Sequence, residues 1–593
     1  MNSKTKLISS ILLFLIVAAL GYYMIQLSAK EQLWGHLPMF IFLAAWGLNL
    51  TLFSKAFFHD QEKKKYFLYS CGSAALFYFG FPTMPFFFLL FVAFVPLLLM
   101  EHELSQKEAK PFWKIWRCAY NAFVLWNILS TFWVGNTAFA AGIFAILVNS
   151  LLMTIPFMLF HLSKKVLSDK LAAVAFIAYW ISFEKLHQGW ELSWTWLTLG
   201  NAFSQHTWLI QWYEFTGVFG GSLWILVLNF MLFYAYRKRS NIKDLWPSVL
   251  VVAIPILSSL IINVNTDNEG PEKKVCIVQP NYEPHYQKFT VPPSRQLRKF
   301  LKLANEGIDE GTDYCLFPET SFRATINDHN NESSIKSINK LVEQFPNLKV
   351  VTGLAAYKIF EEGEEKSEDT IRKSKRSGRS VFYETYNAAV QIDKDQELDL
   401  YKKSILVPGA EIFPYKEIFF FFKPLVDQLG GTLAGNGTQK ERSVFWDEDE
   451  AFAVAPVICY ESIYGDYCTE YIRKGANAIF IMTNDGWWDD TAGHKQHLLF
   501  ARLRAIETRR SIARSANTGI SCFIDQKGSI YQATAYEVDA AVKGSIQMND
   551  RITFYVIWGD LIARISLLLA ILLILNTIVK SLQKKTKNQD GIT

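Results

Sequence analysis

Cysteine is scarce in this chain of 593 residues, and the seven it has are poorly placed for cross-links. Cys71, Cys118, Cys276, Cys315, Cys459, Cys468 and Cys522 form an odd set with no C-x-x-C pair, which argues against a disulfide framework and against a zinc site. No metal and no cofactor is expected. A surplus of one charge is lacking as well: 60 Lys and Arg stand against 55 Asp and Glu, a net of +5. The basic residues sit in loops beside apolar runs, not on one phosphate-binding face, so no nucleic-acid partner is expected. No internal repeat is detectable. The first apolar run, about Leu7 to Leu27, lacks a small-residue cleavage site and is longer than the apolar stretch of a signal peptide, so it reads as a membrane span.

What the chain has is apolar surface, with 51% hydrophobic and 15% aromatic residues, unevenly spread. Residues 1–264 are long apolar runs between short charged loops, 265–555 has an ordinary globular composition, and 556–593 is a last apolar run with a basic tail. The chain therefore divides into a multi-span membrane domain, a soluble domain and a C-terminal anchor. Crossing ~30 Å of hydrocarbon takes about 20 apolar residues. Spans then fall near 7–27, 35–57, 65–82, 84–101, 113–135, 137–162, 170–187, 215–236, 246–264 and 556–580; the third and fourth are short, are joined by the Pro82–Thr83–Met84–Pro85 turn, and read either as a tight hairpin or as a partly re-entrant pair.

Basic residues mark alternate loops: Lys4 and Lys6; Lys63 to Lys65; Lys107, Lys110 and Lys114; Lys164 and Lys165; Arg237 to Arg239 and Lys243; Lys584, Lys585 and Lys587. The intervening short loops hold little beyond Lys30. By the positive-inside rule both termini are cytoplasmic and 265–555, following the ninth span, lies outside. Few charges fall within the spans, which argues against the ion pathway of a transporter. Glu184 and Lys185 are the exception, expected to pair with each other near the membrane surface. Trp190, Trp194, Trp196, Trp208 and Trp212 crowd the stretch 188–214, which reads as an interfacial belt or as a mouth where a lipid head group meets the soluble domain.

Between 265 and 555 the pattern predicts strands at Lys274–Gln279, Tyr314–Phe317, Lys349–Leu354, Val381–Ile392, Phe452–Tyr460, Ala478–Thr483, Ile520–Ile524 and Ile530–Ala533. Helices are predicted at Arg295–Glu310, Ser334–Gln344, Ile463–Lys474 and Gly493–Arg510, so the domain is layered α/β. The charged run Glu361–Ser380 reads as a solvated or disordered insertion. Ile418–Phe422 reads either as a loop dipping into lipid or as core.

Three motifs carry chemistry: Phe317-Pro318-Glu319 at a strand end, Lys403 to Glu411 (KSILVPGAE), and Val457-Ile458-Cys459-Tyr460-Glu461 at another strand end. Functional groups collect where strands of an α/β sheet finish. Each residue alone has a plain structural reading: Cys459 as packing, Lys403 beside Lys402 as a wetted face, Glu319 as a turn cap. Together, in the order Glu, Lys, Cys, they resemble the active site of the nitrilase (carbon–nitrogen hydrolase) superfamily. The resemblance spans about 275–540 and includes Gln279-Pro280-Asn281, Asn484-Asp485-Gly486-Trp487-Trp488, His497, Arg502, Arg504, Glu507, Arg510 and Ser515-Ala516-Asn517-Thr518-Gly519. With a multi-span bundle and an anchor, the chain is similar to one branch of it, the apolipoprotein N-acyltransferases. It departs from that branch in Phe317 where Trp is usual, in Pro408-Gly409-Ala410-Glu411 where Pro-Phe-Gly-Glu is usual, and in two additional N-terminal spans.

The resemblance implies an α-β-β-α sandwich on the periplasmic face of a bacterial inner membrane. It also implies an acyltransferase that moves a fatty acyl chain from a phospholipid, through a Cys459 thioester, to the α-amino group of a diacylglyceryl-cysteine that begins an apolipoprotein. Glu319 would be the general base and Lys403 the charge that stabilises thiolate and oxyanion. Glu411, Glu461, Tyr460, Asn387 and Trp487 would support the site or bind substrate, with Glu411 orienting Lys403 and Glu461 lining the same pocket. A membrane-tethered amidase giving the acyl group to water, and a transporter with an accessory domain, are the alternatives.

Overall fold

A computed structural model describes residues 3–590 apart from 240, 362, 365–369, 377–378, 395–397, 420–434, 448 and 450. Helices occupy the expected span positions: α1 (Ser3–Ala29), α2 (Leu37–Leu52), α3 (Gln61–Gly80), α4 (Val95–Lys107), which takes only the second half of its expected span after a short tight helix at Phe87–Val92, α5 (Phe112–Thr131), α6 (Phe139–Lys164), α7 (Asp169–Leu186), α8 (Val218–Arg237) and α9 (Trp246–Asn265), with α14 (Leu561–Asp590) at the far end of the chain. Among the described residues, six stretches are long and apolar enough to cross a membrane by length and composition: Lys4–Ala29, Phe87–Lys107, Phe139–Lys164, Val218–Arg237, Lys243–Asn265 and Leu561–Thr586. The other four expected spans fall short for visible reasons. α2 has 16 residues, α3 opens on Gln-Glu-Lys-Lys-Lys, α5 carries Lys114, Arg117, Asn121 and Asn127, and α7 carries charges at both ends. All four nevertheless pack into the buried apolar core of the bundle through residues such as Phe42, Phe77, Trp126 and Trp180.

The helices alternate in direction. Lys65 at the start of α3 pairs with Glu103 in α4 at 2.6 Å, and Arg237 closing α8 pairs with Asp169 opening α7 at 2.5 Å. At the opposite end, every connection touches the remaining, sheet-forming part of the chain. Gly35 N donates to Asp489 Oδ2 at 2.7 Å, Gln496 Nε2 to Pro82 O at 2.6 Å, Thr137 Oγ1 to Trp487 O at 3.3 Å and Arg509 Nη1 to Gln211 Oε1 at 2.6 Å.

That part is a four-layer sandwich. The first sheet holds β1 (Glu272–Gln279), β2 (Tyr314–Leu316), β3 (Phe322–Thr325), β4 (Lys349–Ile359), β5 (Arg372–Arg376), β6 (Arg379–Ile392), β7 (Leu398–Lys402) and β14 (Ala540–Gln547). Its order is β14-β1-β2-β4-β6-β5, with β3 beside β4 and β7 beside β6. The second holds β8 (Phe445–Trp446), β9 (Ala453–Ile458), β10 (Ala476–Thr483), β11 (Ser511–Ala516), β12 (Cys522–Ile524) and β13 (Ile530–Tyr531), in the order β13-β12-β11-β10-β9-β8. β9, β10 and β11 run parallel and are buried throughout, as strands covered on both faces must be. The sheets meet at contacts such as Tyr314 against Phe480, 5.2 Å edge to face. Amphipathic α10 (Pro293–Gly307) and α11 (Ser333–Gln344) cover the first sheet through a core containing Phe300, Ile338 and Val342. α12 (Gly465–Arg473) and α13 (Ala492–Thr508) pack with the second through Tyr471, Leu503 and Ile506.

Several expectations change. Glu361–Ser380 is not wholly an insertion without structure: Arg372–Arg376 pairs antiparallel with the start of β6, because β6 is 14 residues long and outruns its other neighbour. Glu184 and Lys185 do not pair. Glu184 accepts from Leu199 N at 2.8 Å and Ser222 Oγ at 2.7 Å, while Lys185 reaches Asp560 at 2.7 Å and Asp466 at 3.2 Å. The tryptophan belt is split. Trp208 is exposed, but Trp196 is 1% exposed and donates to Gln496 Oε1 at 2.6 Å, within an aromatic cluster of Trp133, Trp194 and Trp488. Trp194 and Trp196 are thus part of the seat on which the sandwich rests. The side chains of Ile418–Phe422 lie outside the described residues.

Candidate active site

Glu319 follows β2, Lys403 follows β7, Cys459 follows β9, and Asn387 lies within β6. The turn at Glu319 is held from β4: Gly353 N donates to Pro318 O at 3.2 Å and Ser321 N to Gly353 O at 2.9 Å. A Cβ on Gly353 would fall 2.6 Å from both Pro318 O and Thr320 N, so only glycine lets β4 approach this turn.

Lys403 Nζ lies 3.2 Å from Glu319 Oε1 and 2.9 Å from Glu411 Oε2, and is 1% exposed. Asn387 Nδ2 joins the two carboxylates, donating to Glu319 Oε1 at 2.7 Å and Glu411 Oε1 at 2.8 Å. Glu411 is fixed in turn by Val407 N at 2.9 Å. Burial opposes both charges, yet the Lys403 ammonium, the Asn387 amide and Lys288 hold the Glu319 carboxyl below its ordinary range. Against the same burial, Glu411 and Glu319 hold the Lys403 ammonium well above its own. The resting site therefore contains an ionised Glu319 and a protonated Lys403. Burial, with the charge of Glu319, pushes the Cys459 thiol up; Lys403 pulls it down. The thiol is protonated at rest, and a neighbouring ionised carboxylate stands ready to take that proton.

Cys459 sits at a sharp strand-to-turn elbow with φ +49°, a left-handed conformation that costs a non-glycine residue about 1 kcal/mol or more and persists only when its surroundings fix it. Ser462 Oγ donates to Cys459 O at 2.7 Å, and His497 Nε2 lies 3.2 Å from the same oxygen and 2.9 Å from Ser462 Oγ. His497 Nδ1 lies 2.9 Å from Asp485 Oδ1, Thr483 Oγ1 donates to that oxygen at 2.7 Å, and Arg514 pairs with Asp485 Oδ2. Arg514 and His497 hold the Asp485 carboxyl well below its usual range although burial opposes them.

Glu461 does not line the pocket. Its buried carboxylate accepts from Ile458 N at 2.9 Å, Ser404 N at 2.7 Å, Tyr401 OH at 2.6 Å and Tyr467 OH at 2.6 Å. It ties the strand end before the nucleophile to the loop bearing Lys403. Tyr460 points toward the helical bundle and donates to Ser193 O at 2.9 Å. Trp487 stands apart, its ring edge-on to His285 at 5.1 Å and 6.3 Å from Phe289. Sequence reasoning passed over Ser462, Gly353 and Lys288; the signal for Lys288 was a lone lysine in an aromatic segment close behind Gln279-Pro280-Asn281. Among the described residues no cluster of His, Cys, Asp and Glu is arranged to hold a metal.

Residues 73–231 match the family model of the apolipoprotein N-acyltransferase N-terminal domain, and residues 274–552 match the carbon-nitrogen hydrolase model. The chain is 28% identical over 506 residues to the apolipoprotein N-acyltransferase of Chlorobaculum tepidum, covering 82% of this chain and 92% of that one. It is 24% identical to that of Thermotoga maritima, over 77% of this chain and 84% of the relative. Among solved structures it is similar to Saccharomyces cerevisiae Nit3, a member of branch 10 of the nitrilase superfamily, at 14% identity, 48% and 92% coverage and a TM-score of 0.34.

Proposed function

As a member of the apolipoprotein N-acyltransferase family built on a carbon-nitrogen hydrolase sandwich, this chain is a membrane acyltransferase of lipoproteins, and we propose that it works through a thioester on Cys459 loaded from a phospholipid. Glu319 takes the thiol proton as sulfur attacks the ester carbonyl, and Lys403 stabilises the oxyanion. The C–O bond breaks, and the proton passes from Glu319 to the departing glyceryl oxygen, releasing a lysophospholipid. In the second half, the α-amino group of a diacylglyceryl-cysteine attacks the thioester, Glu319 accepts an amine proton, and the thiolate leaves and is reprotonated. One hard ester-to-amide exchange becomes two easier steps.

The observation that carries this reading is that the nucleophile elbow faces the bundle: Tyr460, next to Cys459, is bonded to Ser193 in the connection between α7 and α8. Two lipid substrates can then reach the sulfur along the bilayer surface, and lipid-covered walls keep water from the thioester. The loop charges orient the sandwich to the periplasmic side of an inner membrane with both termini cytoplasmic. On this reading residues 1–264 position substrates, 265–555 do chemistry, and 556–593 anchor.

Incubating purified protein with phospholipid alone tests it. The expected result is one acyl mass on the Cys459 peptide, labile to hydroxylamine and absent in Cys459→Ala. A diacylated lipopeptide should then discharge it to an amide. Turnover without an adduct defeats the thioester, and release only as free fatty acid makes the protein a hydrolase.

A further inference from the structure

A second lysine reaches the same site. Lys288 lies in the turn after β1, and its side chain runs inward until only 7% of the residue is exposed. Its Nζ donates to Glu319 O at 3.0 Å and to Thr320 Oγ1 at 2.6 Å. Among the described residues no carboxylate lies within ion-pair distance of it. The turn it grips is strained, since Thr320 has φ +48°, and it aims the base. The Lys288 turn is itself well fixed. Asn517 Nδ2 donates to Tyr282 O at 2.6 Å, and the Glu283 carboxylate accepts from His285 N and Tyr286 N, each at 2.7 Å.

Charge balance gives this contact its meaning. Lys403 faces two carboxylates, Glu319 and Glu411, so those three groups together carry one net negative charge in a dry site. A negative surplus opposes a thiolate. Adding the Lys288 ammonium brings the total to zero, and passing the Cys459 proton to Glu319 leaves it there. We propose that Lys288 is a positioning residue for the acyl-transfer reaction, pinning the Glu319–Thr320 turn and supplying the second positive charge that lets Cys459 ionise. This rests on the Cys459 reading above.

Burial holds the Lys288 ammonium down to about 8 while Glu319 and Cys459, the charged and titratable groups that act on it, pull it up. The charge is thus present below about pH 8 and lost as pH rises beyond it. The test is the initial rate of Cys459 acylation by a diacyl phospholipid in detergent micelles, followed across pH. The native protein should lose rate as pH climbs past about 8. Lys288→Met should be slower by ~100-fold at neutral pH, as for loss of one stabilising donor, and its profile should lack that fall. Lys288→Arg keeps its charge at every accessible pH, so it should stay closer to native and also lack the fall. A fall above neutral pH that Lys288→Arg shares with the native protein overturns the proposal even if Lys288→Met fails to fold. So does a folded Lys288→Met within about threefold of native. Either result leaves the thioester reading standing, because that depends on the native adduct alone.

Discussion

The two sheets bring different things to one site. The first delivers charge, with Glu319, Lys403, Asn387 and Glu411 meeting through ion pairs and one shared amide. The second delivers geometry, as Cys459 is held by bonds to its own carbonyl from Ser462 and His497, backed by Asp485 and Arg514. The division follows from how each interaction falls off with distance. Coulomb energy declines slowly, so charges can be gathered from separate loops of modest precision. A nucleophile must meet a carbonyl carbon within a few tenths of an ångström, so it stands on the end of a fully buried strand. Glu461 is the tie between the two, touching Ile458 on one side and Ser404 on the other.

Lys403→Met breaks the charge side and should have the largest effect. Buried Glu319 and half-buried Glu411 would lose their shared cation, costing ~3 kcal/mol in stability, and thioester formation should fall about 1000-fold. The pH dependence separates this from simple damage. Glu319 is held below its ordinary range chiefly by Lys403. A depressed carboxyl stays ionised as pH falls and contributes stability until pH drops through its folded value. The native acid limb of acylation should therefore lie below about 4.5, and in Lys403→Met it should move up. A limb that stays in place would mean that Lys403 does not set the base.

Asp485→Asn breaks the geometry side. It removes the carboxylate from buried Arg514 and loosens His497, yet it leaves Glu319 alone, so acylation should fall ~10-fold with no shift of the acid limb. The opposite outcome is informative, because the charge of Asp485 also raises the Cys459 thiol. If acylation speeds up instead, electrostatics governs the second sheet too and the division between the sheets fails. Initial rates with phospholipid, alongside thermal unfolding in detergent, distinguish the two.

The charge side was the more legible in sequence. Glu319 and Lys403, with Cys459 of the other sheet, could be named because together they fall in the order Glu, Lys, Cys, although none of the three stood out alone. Asn387 and Glu411 were named with them, but other supports could not be. Ser462 and Gly353 are ordinary residues whose roles come from one hydrogen bond and one close backbone approach. β11 (SIARSA) and β14 (AAVKGSIQ) escaped notice because few of their residues are β-branched or aromatic; burial between β10 and β12 makes β11 a strand, and full-length pairing with β1 makes the half-exposed edge β14 one. The membrane helices were legible as apolar runs. Trp196 was misread because a tryptophan facing lipid and one filling an interdomain seat look the same until the partner, Gln496 on α13, is known.

Tyr460→Phe should have the smallest effect, and it asks whether the bundle belongs to the comparison at all. The hydroxyl donates to Ser193 O at 2.9 Å, while the ring packs edge-on to Tyr464 at 5.3 Å. Phenylalanine keeps the ring and gives up a bond worth about 1 kcal/mol, leaving the Ser193 carbonyl without this donor. If the bundle only seats the sandwich, acylation by a short-chain water-soluble ester and by a phospholipid should fall by the same small factor. If the connection between α7 and α8 guides lipid to the sulfur, the phospholipid KM should rise by several-fold while the soluble ester is barely affected, because only the lipid has to travel along that connection. Neighbouring Tyr464 also bonds Ser193, through Oγ at 2.9 Å, so a single substitution loosens the seat without undocking it. A loss confined to kcat for both substrates would place the tyrosine with the second sheet and its geometry instead.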